Sequence, residues 1–321
     1  MHDPANPSQW PTASDILKAS RNIAPYIHRT PVLGSSYLNG KTGGQLFFKC
    51  ENFQKAGAFK SRGAMQAILS LSKTALSAGV ATHSSGNHAQ ALARAAKLMQ
   101  TPAYIVMPET ALKVKVDAVM AYGGQITFCK PTLEARESTL AQVVSQTGAT
   151  IIHPYNDYRV ITGQATACLE LIEQCESLDL VLCPVGGGGL LSGTALSLAY
   201  FSENTALIAC EPSGADDAMR SFRAGRIIPS VQPDTIADGL LTSLGSLTFP
   251  IISKYVQDIV TVSDKDIIKA MQLVWERMKI IIEPSSAVPL AAILNGNVDV
   301  TGKMVGIIVS GGNIDLSKFP W

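Results

Sequence analysis

The sequence predicts an α/β protein in which two parallel-rich sheets are covered by helices, and three observations carry that prediction. Short apolar, β-branched runs recur along the chain with helical stretches between them. These runs are continuously hydrophobic, as strands buried on both faces are, instead of alternating. Glycine-bearing loops, Ser84-Ser85-Gly86-Asn87-His88, Gly186 to Gly189 and Ser310-Gly311-Gly312-Asn313, directly follow three of the runs. At 321 residues the chain is long enough for two such domains.

Taken in order, the strand-like runs lie at 46–48, 80–82, 103–106, 125–128, 150–152, 180–185, 207–210, 259–262 and 305–309. The clearest helix follows Ser263. Ser263 and Asp266 have the spacing of a capping box, and Ile267, Ile268, Met271, Val274, Trp275 and Met278 form one apolar stripe, which is assigned to the core. No repeat or low-complexity linker marks a boundary. The rhythm of strands therefore divides the chain into a small domain, 79–149, inserted in a large one formed by 1–78 and 150–321. Ligands of such sheets bind beyond the carboxyl ends of strands, so the three glycine-bearing loops are expected to converge on one ligand.

Composition narrows the function. Net charge is +1 and only 16% of residues are charged, so neither a nucleic-acid surface nor an acidic tail is implied, and a small-molecule substrate is expected. The first residues show no basic region followed by an apolar one, which predicts a cytoplasmic enzyme without a secretory signal. Segment 180–202 is uncharged and long enough to span a bilayer, but Pro184 and five glycines favour a strand-loop-helix and no membrane span. The six cysteines form no C-x-x-C pair and have no histidines at zinc spacing, so they are read as core thiols.

The four consecutive glycines lie between a run ending at Val185 and a helix-like run beginning at Leu190. Such a loop turns several N–H groups toward one point before a helix N-terminus, which suits a phosphate. Gly187, Gly189 and Gly193 approximate a dinucleotide fingerprint with Glu211 downstream, so a nicotinamide dinucleotide is one alternative. The other rests on lysine chemistry. No carboxylate falls between Glu51 and Glu109, whereas Lys55, Lys60, Arg62, Lys73, Arg94 and Lys97 do, an imbalance expected to attract anions and lower an amine's pKa. Lys60 follows Ala56-Gly57-Ala58-Phe59, a setting that solvates an ammonium poorly. A nucleophilic lysine with a phosphate cradle points to pyridoxal phosphate held as a Schiff base.

Further motifs distinguish the two. Gly57-Ala58-Phe59-Lys60-Ser61-Arg62-Gly63-Ala64, Ser84-Ser85-Gly86-Asn87-His88, Pro184-Val185-Gly186-Gly187-Gly188-Gly189-Leu190, Glu211-Pro212-Ser213-Gly214-Ala215-Asp216-Asp217, Ile236-Ala237-Asp238-Gly239, Ile282-Glu283-Pro284-Ser285-Ser286 and Ser310-Gly311-Gly312-Asn313 occur in this order. Together they resemble fold-type II pyridoxal-phosphate enzymes, with the tryptophan synthase β-like fold. Within that group the chain is similar to serine racemase and to the serine/threonine and threo-3-hydroxyaspartate ammonia-lyases, from about Ile16 to Leu316.

The resemblance implies that Lys60 is the Schiff-base lysine and one proton-transfer group, with Ser85 facing Cα from the opposite side. It implies Phe59 against the pyridine ring, Asn87 on its phenolic oxygen, Gly186, Gly187, Gly188, Gly189 and Leu190 around the phosphate, Ser310 at the ring nitrogen, and Gly239 and Glu283 beside the cofactor. Ser84, Ser85, Asn87 and His88 would grip the substrate α-carboxylate, His88 having the alternative of fixing the loop through a backbone bond. Arg136 would meet the distal end of the substrate and favour a second carboxylate; its alternative is a solvated arginine paired with Glu134 or Glu137. Glu211, Ala215 and Asp217 match a magnesium (or calcium or manganese) site, Glu211 having the plainer reading of a helix cap.

The implied activity is racemisation of L- and D-serine together with elimination of serine to pyruvate and ammonia. The alternative is a threonine or threo-3-hydroxyaspartate ammonia-lyase with little racemase activity. A homodimer and a nucleotide effector are also implied, and the end at Trp321 predicts no separate regulatory domain. Ala56, Ala58, Ala89 and Ala165 depart from the pattern, replacing threonine, serine, glycine and glycine, and none of these removes a cofactor ligand.

Overall fold

A computed structural model describes residues 4–111 and 113–317. Its strands are β1 Val32–Leu33, β2 Gln45–Cys50, β3 Val80–His83, β4 Ala103–Pro108, β5 Gln125–Cys129, β6 Thr150–Ile151, β7 Leu180–Pro184, β8 Ala206–Pro212, β9 Asp258–Val262 and β10 Met304–Val309. The helices are α1 Ala13–Ile23, α2 Ser36–Thr42, α3 Lys60–Leu69, α4 Lys73–Ala78, α5 Asn87–Leu98, α6 Lys113–Ala121, α7 Leu133–Thr147, α8 Tyr158–Gln174, α9 Gly189–Phe201, α10 Asp217–Ala224, α11 Thr248–Tyr255, α12 Asp264–Met278 and α13 Pro284–Leu294. The protein is thus α/β, as its apolar rhythm predicts.

Two sheets form, a six-stranded one ordered β1-β2-β10-β7-β8-β9 and a four-stranded one ordered β5-β4-β3-β6. Every pairing is parallel except that of β1 with β2. Each expected strand is present. The two-residue β1 was not expected, being too short to make a run. Parallel strands need helical crossovers that cover both sheet faces, which is why β7 is buried along its whole length and β10 nearly so.

The helix after Ser263 is α12, and the Ser263 hydroxyl accepts from the Asp266 N–H at 3.3 Å. Ile267, Met271 and Val274 are buried in one core cluster, with Trp275 and Met278 packed against it. The six cysteines are free, and five of them are buried. Among the described residues no helix is long and apolar enough to cross a membrane; the uncharged segment becomes β7, the tetraglycine turn and α9.

Topology places the site. The chain leaves the larger sheet after β2, enters α3 and the four-stranded sheet, and returns through β6 to α8. Helices α3 and α8 meet where Gly63 faces Gly163: a Cβ on Gly163 would lie 2.6 Å from the Gly63 Cα. Side chains here would push the helices apart.

Candidate functional site

Lys60 opens α3, and its Nζ donates to the Pro154 carbonyl at 2.7 Å while lying 5.0 Å from the Phe59 ring centre. The residue as a whole is half-buried, but protein surrounds the ammonium itself. Burial pulls the amine down to about 8 from 10.5, against the opposing Glu283 carboxylate. Two causes were expected, poor solvation after Ala56-Gly57-Ala58-Phe59 and a local excess of cations; the first holds and the second needs correction. Arg62, two residues on, is neutralised by Glu51 and Glu170, and the Arg94 guanidinium is turned to the Tyr26 carbonyl. Desolvation makes Lys60 acidic, not a positive field.

The loop after β3 carries Ser84, Ser85, Asn87 and His88. Gly86 N–H donates to the Ser84 hydroxyl at 3.3 Å, whereas the Ser85 hydroxyl is partly exposed and has no hydrogen bond among the described residues. The Asn87 amide donates to both Glu283 oxygens at 3.0 and 3.1 Å and accepts from the Asn313 amide at 2.9 Å. This ties the loop after β3 to the loop after β10. Gly57 completes the junction: at φ +68° it is left-handed, and a Cβ there would lie 2.2 Å from the Asn313 Oδ1. His88 Nε2 lies 3.1 Å from the Ile152 carbonyl, its ring is buried, and burial holds its pKa near 3. That geometry matches the loop-fixing alternative, with a neutral imidazole donating to backbone.

The tetraglycine turn ends β7 and leads into α9, with Gly188 at the N-cap in the left-handed conformation, φ +88°, and no side chain capping the helix. The first turn of α9 therefore presents unsatisfied N–H groups. Gly187 lies so close beneath the Tyr155 ring that a Cβ would come within 2.4 Å of it. Tyr155 follows Pro154, the acceptor of Lys60, so the tetraglycine turn and the lysine share one wall. Leu190 is buried in the first turn, and Gly239 N–H donates to the Ser285 hydroxyl at 3.1 Å. At the end of β10 the Ser310 hydroxyl is buried 3.0 Å from that of Ser286. Glu283 is buried too, and desolvation, reinforced by Asp238, raises it to about 7.

Three strand ends thus converge as expected, and a fourth joins them. His153, just beyond β6, stacks edge-on 6.0 Å from His83 and 4.6 Å from Tyr155. Its Nδ1 accepts the Asn156 N–H at 2.9 Å, which places the proton on Nε2, and burial lowers it to about 4. His83, His153, Pro154 and Tyr155 escaped sequence reasoning, which weighed only strand ends bearing glycine. The end of β6 is marked by His-Pro-Tyr, and the strand-end rule applied to every strand finds it.

Arg136 lies in α7 near His83, whose pKa is lowered first by burial, against Glu137, with Arg136 adding a lesser downward push. Its Nε is buried without a hydrogen-bond partner, and no ion pair joins it to Glu134 or Glu137 among the described residues. Glu211 is buried and accepts from Ala218 N–H at 2.9 Å and Met219 N–H at 3.0 Å, the first turn of α10; its helix-cap reading is realised. Asp217, beside it, is buried; burial raises it to about 6 against the Ser230 hydroxyl nearby, and among the described residues neither oxygen makes a hydrogen bond of full geometry. Ala215 is buried in the turn between them. Among the described residues no cluster of three or more His, Cys, Asp or Glu side chains could hold a metal.

These features accord with the known proteins the chain matches. Residues 23–311 match the family model described as "Pyridoxal-phosphate dependent enzyme". The chain is 53% identical over 311 residues to the beta-hydroxyaspartate dehydratase of Paracoccus denitrificans, covering 97% of this chain and 99% of that protein. It is also 53% identical to the serine racemase of Dictyostelium discoideum over 96% of each chain. The crystal structure of the Dictyostelium discoideum enzyme superposes with a TM-score of 0.90 over 95% of this chain and 99% of that one. The relatives divide between racemases and lyases, but their shared chemistry does not: this chain belongs to the fold-type II pyridoxal-phosphate-dependent enzymes that include the serine racemases and hydroxy-amino-acid ammonia-lyases.

Proposed function

We propose that the protein removes the β-hydroxyl and amino groups of a 3-hydroxy amino acid bearing a second carboxylate, threo-3-hydroxyaspartate, and that it also racemises and deaminates serine. The observation that carries the choice of substrate is the buried, unpartnered Arg136 Nε near His83, which adjoins the Ser84-Ser85 loop. A buried guanidinium donor left open is satisfied by a planar carboxylate, which serine and threonine lack beyond Cα. The 53% identity to a beta-hydroxyaspartate dehydratase supports the same choice.

Pyridoxal phosphate fits the residues present, because the uncapped turn of α9 offers amides to a phosphate and Lys60 offers a desolvated amine. We assign Gly186 to Leu190 to the phosphate, Lys60 to attachment, and Phe59, Asn87, Gly239, Glu283 and Ser310 to the ring's surroundings. When bound, the cofactor supplies an electron sink that weakens bonds at Cα. Lys60 takes or returns the Cα proton on one face, and Ser85, whose hydroxyl is not tied to the protein, does so on the other. Ser84 and Asn87 hold the α-carboxylate. Loss of water from Cα–Cβ releases an enamine, whose hydrolysis gives the 2-oxo acid and ammonia.

We further assign residues 79–149 to a small domain that closes on the remainder, and a divalent cation to Asp217 and Glu211 with the Ala215 carbonyl. The Asp217 oxygens, buried with only the Ser230 hydroxyl near them among the described residues, support the cation, and Glu211 keeps lone pairs beyond those used by α10. Parallel assays of oxaloacetate release from threo-3-hydroxyaspartate, and of pyruvate and D-serine formation from L-serine, test the proposal. A higher kcat/KM on 3-hydroxyaspartate is expected; a preference for serine or threonine overturns the substrate assignment.

A further inference from the structure

Beneath Lys60 lies a buried ion network that neither the phosphate cradle nor the acid–base groups explain. Arg62 is fully buried and spends all five of its N–H donors. Nε and Nη2 meet the Glu51 carboxylate at 2.7 and 2.8 Å, Nη1 and Nη2 meet Glu170 at 2.7 and 2.8 Å, and Nη1 reaches the Thr166 hydroxyl at 3.1 Å. Lys49 closes the set, giving its three protons to Glu170 at 2.7 Å, Gln174 at 2.7 Å and the Thr30 carbonyl at 2.8 Å. Two cations and two carboxylates thus join the end of β2 and the turn after it, the start of α3 and the middle of α8. The residues on either side of Arg62 are pinned as well. The Ser61 hydroxyl donates to the Lys55 carbonyl, and Gly63 N–H donates to the Gln164 side chain at 3.2 Å.

A network of this kind is a poor device for stability, because apolar residues of similar volume often replace buried ion pairs without loss. It is a good device for fixing position, since a double bidentate fork admits one geometry. Nor does it act on Lys60 through charge. The influences on the Lys60 amine are burial and Glu283, and the four charges of the network, summing to zero, are not among them.

We propose that Arg62 is a positioning residue for Lys60: its fork to Glu51 and Glu170 fixes the first turn of α3 against α8, and so sets the direction from which the lysine amine meets the cofactor and Cα. This rests on the assignment of Lys60 as the attachment point. The visible absorption band and turnover of the parent holoenzyme test that assignment separately, because their absence from the parent would refute it whatever the variants do.

The experiment compares Arg62→Lys, which keeps the charge but loses the fork, with Val274→Ala, a core truncation in α12 chosen to lower the melting temperature. A displacement near 1 Å at a reacting group costs up to about 10²-fold. For Arg62→Lys holoenzyme kcat is expected to fall by about tenfold or more, with KM within about threefold of the parent. The circular dichroism of the bound-cofactor band should change, while the pH at which Lys60 titrates in cofactor-free protein stays put. Val274→Ala should lose thermal stability with kcat and dichroism unchanged. If Arg62→Lys shows only a lower melting temperature, with kcat and dichroism equal to the parent, the positioning role is wrong. Should Arg62→Lys fail to fold, Thr166→Val, which leaves the fork's carboxylates in place but removes the hydroxyl that Nη1 also meets, takes its place. An altered dichroic band with a several-fold lower kcat then supports the proposal, and parent-like values for both overturn it.

Discussion

The two sides of the site are built by opposite rules. On the lysine side the charged groups near the start of α3 have their partners: Arg62 uses all its donors and Lys60 is docked on Pro154, while Gln164 accepts from Gly63 N–H and leaves only its own amide Nε2 open there. Among the described residues, the Ser85 hydroxyl on the facing loop makes no hydrogen bond, and on the α7 side Arg136 keeps its buried Nε open. A saturated site fixes a base; an unsatisfied one waits for a ligand, because a buried polar group without a partner costs about 1–3 kcal/mol until something binds it. The difference separates the chemistry from the choice of substrate.

The largest expected effect comes from the saturated side. Lys60→Ala should abolish the visible cofactor band and bring elimination and racemisation to background, since Lys60 is the desolvated amine of the site and the nearby Lys115 ammonium is held by Asp238. Retention of the band and of normal turnover by the purified variant would show that the lysine side is not where the cofactor attaches.

Next comes the open side. Arg136→Met should lower kcat/KM for threo-3-hydroxyaspartate by on the order of 10²-fold while changing that for serine by no more than a few-fold, because only the former has a carboxylate for the guanidinium. Equal losses on both substrates would make Arg136 a structural residue of α7.

Asp217 offers the same contrast on a smaller scale. If a cation satisfies its buried oxygens, chelation should lower the melting temperature and added magnesium or calcium restore it; free cation at 100-fold over Kd adds about 2.7 kcal/mol. Asp217→Asn should abolish this response. A parent protein indifferent to chelator removes the cation from the account.

The smallest effect is one of pH. Because burial depresses Lys60 to about 8, the cofactor-free protein should bind pyridoxal phosphate faster as pH rises through 8, following the neutral amine. Between about 8 and 10.5 the unfolded chain holds a proton that native Lys60 has lost, so this group makes stability increase with pH across that window. A reconstitution rate that stays flat from pH 7 to 9 would contradict the burial argument.

Much of this contrast was legible in the sequence, and unevenly so. The nine apolar runs became strands because continuous hydrophobicity has few other uses at that length, and the tetraglycine run was legible as a side-chain-free turn into a helix, whose closeness to the Tyr155 ring only the structure shows. The ion network was invisible, since its members lie at 49, 51, 62 and 170, and pairing across more than one hundred residues leaves no local pattern. For that reason the absence of carboxylates between Glu51 and Glu109 misled: acids that neutralise Arg62 come from the segment's edge and from α8. Glu211 illustrates a different limit, because a carboxylate before a helix reads alike as cap or ligand, and the structure shows the cap bonds directly.

The central claim is that a fixed lysine and a free serine work on opposite faces of one substrate carbon. Ser85→Ala tests it most directly, with three rates measured on one preparation: elimination from L-serine, elimination from D-serine, and racemisation. The account predicts that racemisation and D-serine elimination collapse together while pyruvate formation from L-serine falls much less, because Lys60 still takes the L-face proton. Equal losses in all three rates would contradict it and leave Ser85 a residue of substrate binding or of the fold.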